Sequence, residues 1–234
     1  MSSDIEDAGM RLPAAAPQLR SALLSWYDHH HRVLPWRRNS HSKLRASAPD
    51  AGAARWPTAP GSGAPLVGLS QADFAYGVWV SETMLQQTQV ERVRDYFVRW
   101  MARWPTLRDL AAASEEDVNA QWAGLGYYRR ARFLLQGARY AVEHNGGELP
   151  SSAQELLKVP GIGRYTAASV ASIAVCQICA AIDGNVERVL TRLHALAQDK
   201  PTSTAAVKEM QRLVRKRVRA RNALGSCLTR FSAG

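Results

Sequence analysis

Residues 159–171 read VPGIGRYTAASVA, and no other stretch limits the possible folds as much. A proline and two glycines fall within four residues, and a run of small side chains suited to a closely packed helix follows at once. The preceding SSAQELLKV reads as a short helix, so the pattern is helix, hairpin, helix. The dinucleotide-binding GxGxxG fingerprint needs a strand in that place. Two uses fit such a corner. Unpaired N–H groups at a helix N-terminus carry the positive end of the dipole and hold phosphate, and glycine lets another backbone approach them. A plain connection between two helices fits equally well.

Helical periodicity continues along the chain. PQLRSALLSWYDHHHRVL is amphipathic and stops at Pro35. Residues 39–70 are rich in Ala, Pro, Gly and Ser without periodicity and read as a linker. Helices are predicted from Asp73 through DFAYGVWVSETMLQ and again over Val90–Arg103. Ser114-Glu115-Glu116-Asp117 opens another as a capping box. A second glycine corner, GLGYYRRA at 124–131, precedes a long helix closed by Asn145-Gly146-Gly147. After the hairpin comes the IDGN loop at 182–185 and then VERVLTRLHAL. No alternating strand pattern appears, so the predicted fold is all-α. The expected division is an N-terminal helix with the LPWR segment (1–38), a linker (39–70), a main helical unit (71–200) and a basic tail (201–234). That tail, KEMQRLVRKRVRARN, reads either as a DNA-facing stripe or as a solvated helix or tail.

With 46% hydrophobic residues the chain has enough apolar material for a core. Thirty Lys and Arg against twenty Asp and Glu give a net charge of +10. That balance points to a polyanionic partner, most simply nucleic acid, with solubility alone as the plainer reading. Three cysteines do not make a secreted disulfide framework. Cys176-x-x-Cys179 reads as core, and no metal site is predicted. The stretch MSSDIEDAGMRLPAAAP has early acids and no apolar run, which predicts no signal peptide. The uncharged run from Tyr165 to Ile182 contains Thr, Ser and Gln and reads as a buried helix, not a membrane span.

Two acids stand in apolar surroundings. Glu82 lies in GVWVSETML, with no other charge from Ala75 to Val90, and Asp183 lies in AAIDGNV. Apolar surroundings raise a carboxyl pKa, and a raised acid can donate a proton while a hydrogen-bonded partner stays ionised. That pairing suits cleavage of a glycosidic bond through a sugar cation. The ordinary alternatives are a helix cap for Asp183 and a solvent-facing position for Glu82. Gln86 and Gln87 in LQQTQ can read base edges, and Tyr127 and Tyr128 at the other corner can stack on bases or wedge between them.

Together LPWRR, WVSETMLQQTQV, WAGLGYYRRARFL, VPGIGRYTAA and IDGNVERVL resemble, in order over about residues 34–197, the adenine DNA glycosylases (MutY family). These belong to the helix-hairpin-helix DNA glycosylase superfamily. The resemblance implies an all-α fold with the active site between two helical domains, one of them a six-helix barrel at 71–200. It also implies removal of adenine mispaired with 8-oxoguanine or guanine in double-stranded DNA, by a monomer without membrane association. On it, Glu82 protonates the base, Asp183 stabilises the sugar cation, and Gln86, Gln87 and Tyr127 enter the duplex at the mispair. Trp36 and Arg37 lie near the adenine pocket. Gly161, Ile162 and Gly163, with Arg164 following, hold phosphate through backbone N–H groups.

Tyr165 occupies the position where the related endonuclease III family carries a Lys that attacks the sugar. A phenol cannot form a Schiff base, so a monofunctional enzyme is expected. The family continues into four cysteines that ligate a [4Fe–4S] cluster. Here the likeness fades beyond about residue 200, Cys227 stands alone, and the 39–70 segment is longer than in most relatives. The expectation is a C-terminally truncated chain without the cluster ligands, less active and less stable than an extended one. Two rivals are a helix-hairpin-helix glycosylase with another base preference and a non-catalytic DNA-binding fragment. The expected location is the nucleus or mitochondrion in a eukaryote and the cytoplasm otherwise.

Overall fold

The computed structural model describes residues 16–37, 56, 69–177 and 179–193. Among them are helices and turns and no strand, in agreement with the all-α expectation. The order is α1 (Ala16–His30), α2 (Gln71–Met84), α3 (Val90–Arg103), α4 (Leu107–Ala111), α5 (Glu115–Trp122), α6 (Arg129–His144), α7 (Ala153–Leu156), α8 (Arg164–Ala174) and α9 (Gly184–Leu193). The basic tail and most of the 39–70 segment lie outside the described residues.

The centre of the fold is α2. Phe74, Tyr76, Val78, Trp79, Val80 and Met84 are all buried, so the helix is apolar around most of its circumference, as a helix surrounded by others is. It packs most extensively against α8, and also against α3 and α6. The neighbours are amphipathic instead. On α3 the buried positions Val93, Phe97, Trp100 and Met101 recur every three or four residues and form one stripe. Trp100 meets Trp104 and Trp122 edge-on, and its indole N–H donates to the buried Tyr76 hydroxyl at 3.1 Å.

Helix starts show why the boundaries fall where they do. Ser70, Thr106, Ser114 and Ser152 each accept a hydrogen bond from the third helical residue onto the side-chain oxygen. The predicted box at Ser114 is present as this cap, with the Ser114 hydroxyl also donating to Asp117 Oδ2. The fully reciprocal box is Thr106 with Asp109. At the other end of α6, the Ala141 carbonyl accepts from both Asn145 N and Gly147 N, which closes the helix as the Asn-Gly-Gly signal predicts.

Two expectations are corrected. Within 39–70, Trp56 and Leu69 are buried in the core and Ser70 caps α2, so these positions do not belong to a linker. The uncharged run ending at Ile182 is helical only to Ala174. Cys176 takes a left-handed backbone, φ 56, and the Gln177 amide turns back to the Ala171 carbonyl. Gln177 Oε1 then accepts from the Ala153 amide and joins this turn to the start of α7.

Candidate active site and nucleic-acid-facing turns

Glu82 sits near the C-terminal end of α2, half-buried, on a helix whose other faces are apolar. Burial pushes its carboxyl above the usual range. Hydrogen bonds from Tyr165 and Ser169 and the positive charge of Arg37 work against that rise, while Asp183 adds to it. Tyr165, in the first turn of α8, has its phenol pushed up to about 12 by burial, then by the charge of Glu82 and by hydrogen bonding to it. A neutral phenol beside a carboxylate is a hydrogen-bond donor, so Tyr165 holds the ionised form of Glu82 without competing for its proton.

Asp183 stands just before α9. Its Oδ1 accepts from the Val186 amide at 2.8 Å and its Oδ2 from the Asn185 side chain at 3.0 Å. It therefore caps α9, the ordinary reading, and also lies close enough to act electrostatically on both Glu82 and Tyr165. The two readings are compatible, because the capping bonds fix the carboxyl in place beside Glu82 and Tyr165. Of the LPWR pair, Arg37 contributes charge at Glu82. Trp36 is buried edge-on against Phe97 at 5.2 Å and serves the core.

In the hairpin, the Ile162 amide donates to the Val159 carbonyl at 3.1 Å, with Pro160 and Gly161 between. Gly161 has φ 82, and a Cβ there would lie 2.5 Å from Phe133 Cβ. Proline followed by a left-handed glycine is the pattern of a type II turn. The Ile162 side chain is buried in the core, so its amide is spent on the turn and its side chain anchors it. Gly163 starts α8 without a side-chain cap. Tyr128 likewise starts α6 without one. The helix starts at both glycine corners thus lack the hydroxyl cap found at α2, α4, α5 and α7, as does the start of α3 at Gln89. Arg164 is exposed in the first turn of α8.

Gln86 and Gln87 are exposed in the turn after α2, and Tyr127 is 64% exposed in the corner before α6. Gln87 and Tyr127 both adopt left-handed backbone, with φ 56 and 52. Sequence reasoning did not single out Arg130, which is buried between these turns and donates to carbonyls of both. The available signal was its spacing: it lies four, eight and eleven residues before Leu134, Ala138 and Ala141, on the buried stripe of α6. Ser169, beside Glu82, was also missed.

Among the described residues no group of three or more His, Cys, Asp or Glu is placed to hold a metal ion. Cys179 is half-buried and its thiol donates to the Ala168 carbonyl at 3.2 Å. Cys176 is exposed, which corrects its reading as core. The described thiols do not fit a four-thiolate cluster, and Cys227 lies outside the described residues. No described helix is long and apolar enough to cross a membrane.

A sequence profile described as HhH-GPD superfamily base excision DNA repair protein matches residues 80–216. The chain is 48% identical over 186 residues to a mouse protein named adenine DNA glycosylase, covering 79% of this chain and 31% of that protein. It thus spans about a third of the length of the curated relatives it matches. Among solved structures, a thermostable thymine-DNA glycosylase aligns over 86% of this chain and 79% of its own, with TM-score 0.60 and 18% identity. A non-covalent endonuclease III–DNA complex aligns over 61% and 64%, with TM-score 0.54 and 27% identity.

Proposed function

The chain belongs to the HhH-GPD superfamily of base excision DNA repair proteins, and on that premise we propose that it is a monofunctional adenine DNA glycosylase acting on adenine opposite 8-oxoguanine or guanine in duplex DNA. The observation that carries the reading is the meeting of Glu82, Tyr165 and Asp183 from α2, α8 and the start of α9 around one raised carboxyl. Support comes from the relatives named adenine DNA glycosylase and from the DNA-bound endonuclease III structures similar to this chain.

The chemistry follows from the charges. Protonated Glu82 gives its proton to the adenine ring, which makes the base a better leaving group. The C1′–N bond then breaks with its electron pair going to the base. Asp183, held by the α9 amide, stabilises the cation left on the sugar, and water adds to C1′ as its proton passes to the Glu82 carboxylate. The phenol of Tyr165, with its pKa raised to about 12, stays neutral at physiological pH. It orients Glu82 and offers no amine to the sugar. The open N-terminus of α8 and exposed Arg164 receive the DNA backbone.

The test is a duplex with adenine opposite 8-oxoguanine. The protein is expected to release adenine and leave alkali-labile sites, with no strand nick before alkali. Borohydride is expected to trap no covalent adduct. A trapped adduct that depends on Tyr165 contradicts the monofunctional reading, and tight binding with no excision favours a non-catalytic DNA-binding protein.

Binding is also expected to weaken steeply with salt. Each phosphate neutralised by Lys or Arg contributes about 0.9 to the slope of log K against log salt, and a chain of charge +10 has cations to spare for several. An affinity that is flat from low to physiological salt means that this charge is not used on DNA.

A further inference from the structure

Arg130 is 8% exposed yet carries a full charge, and its guanidinium is committed to backbone at two places far apart in sequence. Nη1 donates to the carbonyls of Thr83 at 3.2 Å, Met84 at 2.9 Å and Gln86 at 2.6 Å. Nη2 donates to Thr88 Oγ1 at 3.2 Å and to the carbonyls of Leu125 at 3.4 Å and Gly126 at 3.0 Å. Its Cζ lies 5.3 Å from the ring centres of Trp122 and of Tyr127. One side chain thus spans the turn after α2 and the corner before α6.

Each of those segments holds a non-glycine residue in left-handed backbone, Gln87 on one side and Tyr127 on the other. Such a backbone persists only where its surroundings over-determine it. The carbonyls at both places point inward to the same guanidinium, which leaves the Gln86, Gln87 and Tyr127 side chains outside. A lysine cannot replace the arrangement, because an ammonium is a point charge with three donors and has no planar fork to reach both turns at once.

We propose that Arg130 is a positioning residue that locks the Gln86–Gln87 turn and the Tyr127 corner into one rigid two-pronged reader, so that the two prongs engage a duplex together. What the prongs read rests on the proposed function; the coupling between them is a property of the protein without DNA, and the two are tested separately.

In the free protein, hydrogen exchange reports each turn through an amide. Thr88 N donates to the Leu85 carbonyl in the first, and Leu125 N to the Trp122 carbonyl in the second. In Arg130→Lys both amides are expected to exchange about tenfold faster or more, while those within α8 keep their rates. Thr88→Val removes one acceptor, leaves Arg130 in place, and decides the matter should Arg130→Lys not fold. It is expected to speed the Leu125 amide on the opposite turn as well. Acceleration confined to residues 85–88 in Thr88→Val, or unchanged exchange in Arg130→Lys, overturns the proposal.

On DNA the readout is a double-mutant cycle of Arg130→Lys and Tyr127→Ala for affinity to the mispaired duplex. Each single change is expected to weaken binding by about tenfold, and the pair by far less than the product, since a prong already removed cannot be misplaced. The rate of excision at saturating protein is expected to fall less than the affinity. Additive losses overturn the proposal. A wild type that neither binds nor excises defeats the functional reading alone, because the exchange experiment stands without DNA.

Discussion

Glu82→Gln is expected to lower adenine excision by about 10²–10⁴-fold, the usual contribution of a positioned proton donor, and to leave duplex affinity nearly unchanged. The amide keeps the volume and can still accept from Tyr165 and Ser169, but it has no proton to give the leaving base. The same substitution has a second, opposite consequence. Burial is the largest cause of the raised Glu82 pKa. The folded-state value lies above the unfolded one, so folding favours the protonated carboxyl. That contribution is complete at pH below the unfolded value and is lost as pH rises through the folded value. Glutamine never ionises. The variant is therefore expected to melt higher than wild type at neutral pH, with the difference closing in acid. Wild-type excision should fall as pH rises through the Glu82 pKa, since only the protonated form is the donor. Single-turnover rates and melting curves across pH check both halves. Near-normal excision by the variant removes Glu82 from the mechanism.

What could be read from the sequence depended on whether the signal was local. Helix α3 is legible to its ends because Val93, Phe97, Trp100 and Met101 repeat at helical spacing before Pro105. Glu82 and Asp183 are visible as acids in uncharged surroundings. Their meeting depends on α2 packing against α8 and on α9 starting beside it, which no spacing along the chain encodes. Arg130 shows the opposite failure. In GLGYYRRA its charge looks like one more cation for DNA, while in the fold it serves six protein acceptors. Composition cannot separate a cation that meets phosphate from one that meets carbonyls. The end of α8 was misplaced for a third reason: absence of charge marks burial, and a left-handed Cys176 can end a helix inside a buried run.

Trp56 is the residue where local reading failed most, and it carries the second large expectation: Trp56→Ala should cost about 3–5 kcal/mol of stability, as large aromatic truncations in cores do. Its surroundings in sequence are mostly Ala, Pro and Gly, without period, yet it is 5% exposed. Its ring meets Phe97 edge-on at 5.6 Å, and its indole N–H donates to the Pro105 carbonyl at 3.1 Å. The seat is made by Gly77 on α2, where a Cβ would lie 2.0 Å from Trp56 Cη2. Truncation thus leaves a cavity against the central helix and a carbonyl without its donor. A domain of this size has about 5–15 kcal/mol in all, so the loss is a large share. The glycine supplies the control. Gly77→Ala should destabilise the wild type by displacing the indole, and should cost less in the Trp56→Ala background, where the added methyl enters empty space. Denaturant unfolding of the four proteins measures this coupling. Glu82 lies on the same helix more than a turn beyond Gly77, so excision by Trp56→Ala at low temperature should follow the folded fraction. A cost below about 1 kcal/mol, typical of substitutions outside a core, would mean that the tryptophan is not seated on Gly77 in solution, and that α2 completes its burial without it.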